Sequence, residues 1–172
     1  MKHDLALLKR RLSAGPTAEK ERAQKIIMLF ASIGFIALLA VPGLDYRFGW
    51  SAVPLWLVIT GDMLVVVGFC IIFLVYKENT FTSATVEIAE DHKVISTGPY
   101  ALVRHPMYGG GLLYFLGTPL ALGSYWGLIA FAATMPFLLW RLFDEESFLA
   151  RKLPGYAEYR NKVRYRLMPF IW

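Results

Sequence analysis

The chain has 172 residues, enough for one domain. Hydrophobic residues make up 56% and charged residues 18%, with a mean hydropathy of +0.46; a soluble domain carries about 25% charge, so an ordinary water-soluble fold is excluded and a bilayer is called for. The net charge of +5 comes without a basic–aromatic recognition motif and reads as membrane topology rather than nucleic-acid binding, while a single cysteine, Cys70, excludes an internal disulfide and any Cys/His zinc spacing.

Residues 1–25 form a basic leader with Lys2, Lys9, Arg10, Arg11, Lys20, Arg22 and Lys25. Leu5, Leu8 and Leu12 recur at helical spacing, which suits a short interfacial helix ended by Gly15-Pro16. Residues 26–43 then run without a charge, long enough to span the hydrocarbon core and longer than the apolar region of a signal peptide. A turn at 45–50 leads to a second apolar stretch over about 51–76, with Tyr46, Trp50 and Trp56 where interfacial aromatics belong. Asp62 falls inside this span. A carboxylate there costs about 2.5–3.5 kcal/mol on insertion scales and must face protein, water or a polar partner.

The region 77–172 is of a different kind. Residues 77–104 turn polar and read as an ordered loop over one face of the bundle. Residues 106–122 are apolar but rich in Gly and Pro, and 123–143 form a cleaner span, so the two read as a helical hairpin joined at Gly123-Ser124. Gly109, Gly110, Gly111 and Gly117 allow close backbone approach. The tail from 144 is basic again. The expected architecture is an all-α integral membrane protein of about four spans, the last two a hairpin. Basic segments at both ends place both termini in the cytoplasm, with the loop around His92–His105 on the same side.

No strand-linked GxGxxG, phosphate-binding P-loop, HExxH or GxSxG occurs. Two polar clusters remain, each at the cytoplasmic edge of a span: Gly98 to Tyr108 (GPYALVRHPMY) and Arg141 to Glu146 (RLFDEE). Charge, imidazole and phenol beside a membrane helix are costly unless paired. Arg104 and Arg141 can pair with Glu145 and Glu146, and a snorkelling belt of ion pairs would be enough to explain both clusters.

The run TGPYALVRHPMY, followed about 35 residues on by RLFDEE and by the ending LPGYAEYRNKVRYRLMPFIW, resembles the isoprenylcysteine carboxyl methyltransferase and phospholipid methyltransferase superfamily over about residues 90–172. The resemblance implies a small helical membrane bundle with a cytoplasmic cofactor pocket in its C-terminal half. It implies S-adenosylmethionine as cofactor and a lipophilic or lipidated acceptor: an isoprenylcysteine-like carboxylate, a phospholipid amine or another hydrophobic small molecule. By position it implies that His92, Lys93, Val94, Ile95, Tyr100, Arg104, His105, Pro106, Met107, Tyr108 and Glu145 bind the cofactor. Arg141 would lie toward the acceptor, and Glu146 would complete the paired acids as a second catalytic candidate. No metal is implied. Lys93 departs from the small or neutral residue usual there. Membrane sterol reductases, which use a nicotinamide cofactor, share an RHP-type run and are the competing enzyme reading; a non-catalytic scaffold or transporter subunit is the third. The tail tyrosines Tyr156, Tyr159 and Tyr165 read as packing or anchoring residues, and Trp126 and Trp172 as interface anchors.

Overall fold

The computed structural model describes Thr17 and residues 22–80 and 93–172. Among these the regular structure is entirely helical. The interfacial helix expected in the leader, and His92, lie outside the described residues.

Four long helices run alternately up and down: α1 (Arg22–Phe48), α2 (Leu55–Glu78), α3 (Pro106–Ala121) and α4 (Trp126–Lys152). A short α5 (Tyr156–Lys162) follows, and a single 3-10 turn covers Gly98–Ala101. Helices α1, α2 and α4 are long and apolar enough to cross a membrane. Helix α3 has 16 residues, or about 24 Å, against 27 residues and about 40 Å for α4. Its length is set at both ends. Pro106 occupies the first turn, where its missing N–H is harmless, and disfavours helical geometry at His105. Gly123 then turns the chain at φ +68, a conformation that suits glycine. The C-terminal part of α4 therefore runs past the start of α3, and it brings the acidic residues 144–146 level with the first turn of α3.

Helices α2 and α3 make the closest contact. A Cβ on Gly68 would come 2.7 Å from the Gly110 carbonyl oxygen, and one on Gly117 would come 2.7 Å from that of Gly61. The two pairs are seven residues apart on each helix, so two antiparallel backbones touch at two levels. Of the four glycines expected to permit close approach, Gly110 and Gly117 make this interhelical contact. Gly109 faces the Leu167 carbonyl, and Gly111 has open space beside it. Helices α1 and α4 pair separately, with Phe30 stacked on Phe137 at 4.6 Å. Asp62 is exposed on the outer face of α2 rather than set between helices.

At one end of the bundle a single carboxylate ties two turns together. Asp45, 1% exposed, accepts hydrogen bonds from Ser51 N and Ser51 Oγ, both at 2.7 Å, and from Ser124 Oγ. Ser124 Oγ in turn accepts from Gly127 N at 3.0 Å, capping α4. Trp50 and Trp126 meet edge to face beside this node, forming part of the aromatic rim expected at that interface.

Candidate functional site

At the other end the two polar clusters meet. Tyr108 lies in the first turn of α3 and Glu145 near the end of α4, and the Tyr108 hydroxyl donates to Glu145 Oε2 at 2.6 Å. Arg141, one turn before Glu145, donates to Gln24 Oε1 of α1 at 3.0 Å and lines the same cavity as Tyr108. The imidazole-bearing turn and the acidic helix end are thus joined by a hydrogen bond.

A cavity of about 430 Å³ opens beside it, within the range of about 300–1,000 Å³ typical of ligand sites. Lys93, Val94, Ile95, Tyr100, Arg104, His105, Pro106, Met107, Tyr108, Arg141 and Glu145 all line it. Glu146 is not on its wall. That carboxylate sits between two guanidinium groups instead, 2.7 Å from Arg104 Nη2 and 2.8 Å from Arg166 Nε. Arg104 also donates to the Val163 and Arg164 carbonyls at 3.0 and 2.8 Å. The backbone N–H groups of Arg104 and His105 donate to Tyr165 and Arg166, each at 2.9 Å. The tail is thereby laced over the turn that carries His105, and the arginine of the RHP run is the lace.

The far part of the cavity is apolar. Met28 and Ala31 of α1, Ile72 of α2, Phe115 of α3 and Met135 and Leu138 of α4 line it. One cavity therefore joins a charged, hydrogen-bonding end to a hydrocarbon wall inside the bundle, an arrangement fit for an amphiphile beside a polar molecule.

Besides Arg104 Nε, whose guanidinium is bonded through its other nitrogens, two polar atoms of lining residues have no hydrogen-bond partner among the described residues: His105 Nε2 and the Tyr156 hydroxyl. Their residues are 4% and 4% exposed. A buried polar atom without a partner costs about 1–3 kcal/mol, so both mark places where a polar ligand would be welcome. Burial holds the His105 imidazole below its ordinary value, against the pull of Glu145 and Glu146 and with the push of Arg104 and Arg166; the ring is neutral at pH 7. Tyr159, one turn on from Tyr156, is satisfied: its hydroxyl donates to the Tyr100 carbonyl at 2.8 Å. Both tyrosines pack with Leu153 and Val163 under Val94 and Tyr100, as expected of anchors. What sequence reading missed is that one of the two also carries a buried hydroxyl without a partner. Gln24 was missed altogether, since a lone amide between Arg22 and Lys25 of the basic leader carries no motif.

S-adenosylmethionine, with its sulfonium, ammonium, carboxylate and ribose hydroxyls, matches this donor set. Glu145 offers a carboxylate for ammonium or hydroxyls, while the neutral His105 and the Tyr156 hydroxyl offer hydrogen bonds. Tyr100 and Tyr108 offer aromatic faces, each cation–π contact worth about 0.5–2 kcal/mol.

Comparison with known proteins gives the same direction. The family described as phospholipid methyltransferase matches residues 56–154. A probable protein-S-isoprenylcysteine O-methyltransferase of Oryza sativa subsp. indica is 34% identical over 120 residues, covering 64% of this chain and 60% of the relative. Protein-S-isoprenylcysteine O-methyltransferase B of Arabidopsis thaliana is 29% identical over 146 residues, covering 80% and 70%. The Homo sapiens protein-S-isoprenylcysteine O-methyltransferase is 31% identical over 129 residues, covering 67% and 42%. The chain thus spans 60% of the rice relative's length.

Proposed function

The chain belongs to the phospholipid methyltransferase family, and from that premise we propose that its cavity binds S-adenosylmethionine and hands the methyl group to a lipophilic acceptor at the edge of the membrane. The observation that carries this reading is the Tyr108–Glu145 hydrogen bond with Arg141 and the unpartnered His105 Nε2 in the same cavity, which has a hydrocarbon end. The family match supports methyl transfer over nicotinamide-dependent reduction.

When bound, S-adenosylmethionine supplies an electrophilic methyl on a sulfonium. The chain's own contribution is alignment and dryness. Glu145, His105, Tyr100, Tyr108 and the Lys93–Ile95 segment hold the cofactor, partly through backbone. Arg141 faces the acceptor, and the apolar wall takes its lipid portion. Holding two reactants in line lowers a barrier by about 7–11 kcal/mol, and a closed site keeps water from the sulfonium. A carboxylate acceptor, as the relatives' names suggest, needs no general base, and the positive charge of Arg141 suits it. Glu146 acts at one remove: its two ion pairs hold Arg104 and the tail in place, so its carboxylate is not the group that meets a proton of the acceptor.

The topology belongs to the same proposal. Helix α3 is the fourth membrane-embedded helix, short but backed along its length by α2. Among the described residues every Lys and Arg except Arg47 lies toward the cavity end, which favours a cytoplasmic site and cytoplasmic termini. The leader (1–25), the first two spans (26–76) and the catalytic region (77–172) then divide the work as anchor, wall and site.

The test is calorimetry with S-adenosylmethionine on the detergent-solubilised protein. Wild type binds. Glu145→Ala loses binding at least tenfold while keeping its helical circular dichroism. Wild-type-like affinity in that variant, or nicotinamide binding in place of S-adenosylmethionine binding, overturns the reading.

A further inference from the structure

We infer that the turn at 168–172 is a membrane anchor: Phe170 and Ile171 enter the acyl edge of the leaflet on the cavity's side and hold the tail closed over the site. The inference goes beyond the methyltransferase reading and does not depend on it, since it needs only that α4 crosses the bilayer.

The tail from 163 to 167 is a strap. The N–H groups of Arg104 and His105 bind its carbonyls at Tyr165 and Arg166, and Leu167 forms part of the cavity wall. Beyond the strap the chain folds into a tight turn. The Trp172 main-chain oxygen accepts from the N–H groups of Arg166, Leu167 and Met168 at 2.8, 3.0 and 3.2 Å, and the Trp172 N–H donates back to the Met168 carbonyl at 3.2 Å. Closing this turn puts Phe170 at φ +66, a left-handed conformation that residues with side chains rarely adopt. A residue is held that way only where its surroundings over-determine it. The outcome is an apolar tip, with Phe170 87% and Ile171 77% exposed.

The depth of the turn tells what covers this tip. Trp172 meets Phe143 of α4 edge to face at 5.7 Å, and the Arg166 guanidinium lies over both rings while bonded to Glu146. Phe143 stands 17 residues beyond Trp126, about 26 Å along the helix. Trp126 belongs to the aromatic rim at the opposite interface, and a hydrocarbon core is about 30 Å thick. Phe143 and Trp172 therefore lie close to the boundary of the core on the cavity's side. Both are exposed, as is Trp140 one turn earlier, so the turn continues the lipid-facing surface of α4. Charge agrees with depth. Arg160, Lys162 and Arg164 are exposed just before the turn, and Glu158 is the only acid from 147 onward. Apolar side chains beside cations suit the boundary between acyl chains and anionic headgroups. Because turn and strap are one stretch of chain, a tip held in lipid keeps the strap against the turn that carries His105.

The experiment uses the full chain in nanodiscs of phosphatidylcholine and phosphatidylglycerol. In a Cys70→Ser background, nitroxides are attached singly at Phe170→Cys, at Ile171→Cys and, as a water-facing reference, at Glu158→Cys. Power saturation then compares oxygen, which partitions into lipid, with a nickel chelate, which stays in water. Oxygen should dominate at 170 and 171, and the chelate at 158. Chelate dominance at either tail position overturns the inference. So does low access of both reagents there, the mark of a turn packed on protein. Hydrogen exchange on the unlabelled protein reads the strap. Phe170→Ser combined with Ile171→Ser should speed exchange of the Arg104 and His105 amides about threefold or more, and Phe170→Met combined with Ile171→Leu should keep the wild-type rates. Wild-type rates in the serine variant mean that the strap stays shut without the anchor. Faster exchange in the apolar variant as well means that specific packing, not lipid, holds the tip. Either result overturns the inference. Should the nitroxide variants lose their helical circular dichroism, the exchange measurement decides alone. Failure of S-adenosylmethionine binding refutes the methyltransferase reading and leaves these outcomes unchanged.

Discussion

His105 shows how a residue's surroundings convert its titration into stability. Its ring is buried, and burial lowers its pKa, so the folded protein takes up this proton less readily than the unfolded chain, where histidine titrates near 6.5. Between the two values the unfolded state binds more protons, and folding therefore weakens as pH drops through that interval. Above about pH 6.5 the contribution is fully present. Thermal midpoints taken from pH 7.5 down to 5 should fall, and His105→Gln should remove part of the fall; an unchanged slope in that variant would mean that the decline comes from other groups. The two tyrosines of α5 separate in the same way. Tyr156→Phe removes a hydroxyl without a partner, so stability should hold or rise while S-adenosylmethionine affinity drops about three- to tenfold. Tyr159→Phe breaks a bond to the Tyr100 carbonyl and should cost about 0.5–1.5 kcal/mol of stability. The RHPMY run and the paired acids are legible in the sequence because their residues are adjacent in the chain. The difference between Tyr156 and Tyr159 is not, since both are tyrosines on one helical turn and only their partners tell them apart. Gln24 was invisible for the same reason, its partners Arg141 and Asp144 being more than a hundred residues away.

At the scale of elements, the spans could be read from charge-free length, and the structure extends the first and last while starting the second at Leu55 and ending the third at Ala121. The first began at 26 in the sequence and at Arg22 in the helix, because basic residues near a span end remain helical. The glycine-rich arm was recognised as a close-packing helix, but which glycines face a neighbour depends on rotation about an axis that no local pattern fixes. Gly117 packs on the Gly61 carbonyl, whereas Gly43 on α1 has nothing within 4 Å of a built Cβ. Gly117→Leu should therefore force α2 and α3 apart and lower stability by about 1–3 kcal/mol. Gly43→Ala should be neutral or raise stability by about 0.4–1 kcal/mol, since it stiffens the unfolded chain and meets no obstacle. Equal effects of the two changes on unfolding would show that α2 and α3 do not touch along this seam.

At the scale of the molecule, the two ends of the bundle are chemically unlike. One end carries Asp45, Ser51 and Ser124 under a rim of tryptophans; the other carries the cavity and nearly all the described cations. The sequence foretold this polarity through its charge distribution, but not whether the 16-residue α3 completes a crossing, because about 24 Å of helix is slightly shorter than a hydrocarbon core of about 30 Å. Four crossings put Arg22 and Glu158 on one side and Tyr46 on the other. If α3 only dips into the membrane and returns, α4 starts from the opposite side and separates Arg22 from Glu158. All three positions are exposed, so each can be replaced by cysteine in a Cys70→Ser background and probed in sealed vesicles with a membrane-impermeant maleimide. In inverted vesicles Arg22→Cys and Glu158→Cys should label, and Tyr46→Cys should label only after permeabilisation. Opposite behaviour of the Arg22 and Glu158 positions would reduce the bundle to three crossings and place the cavity's two polar clusters on different sides of the bilayer. The 2.6 Å contact between Tyr108 and Glu145 is the reason to expect the four-crossing result.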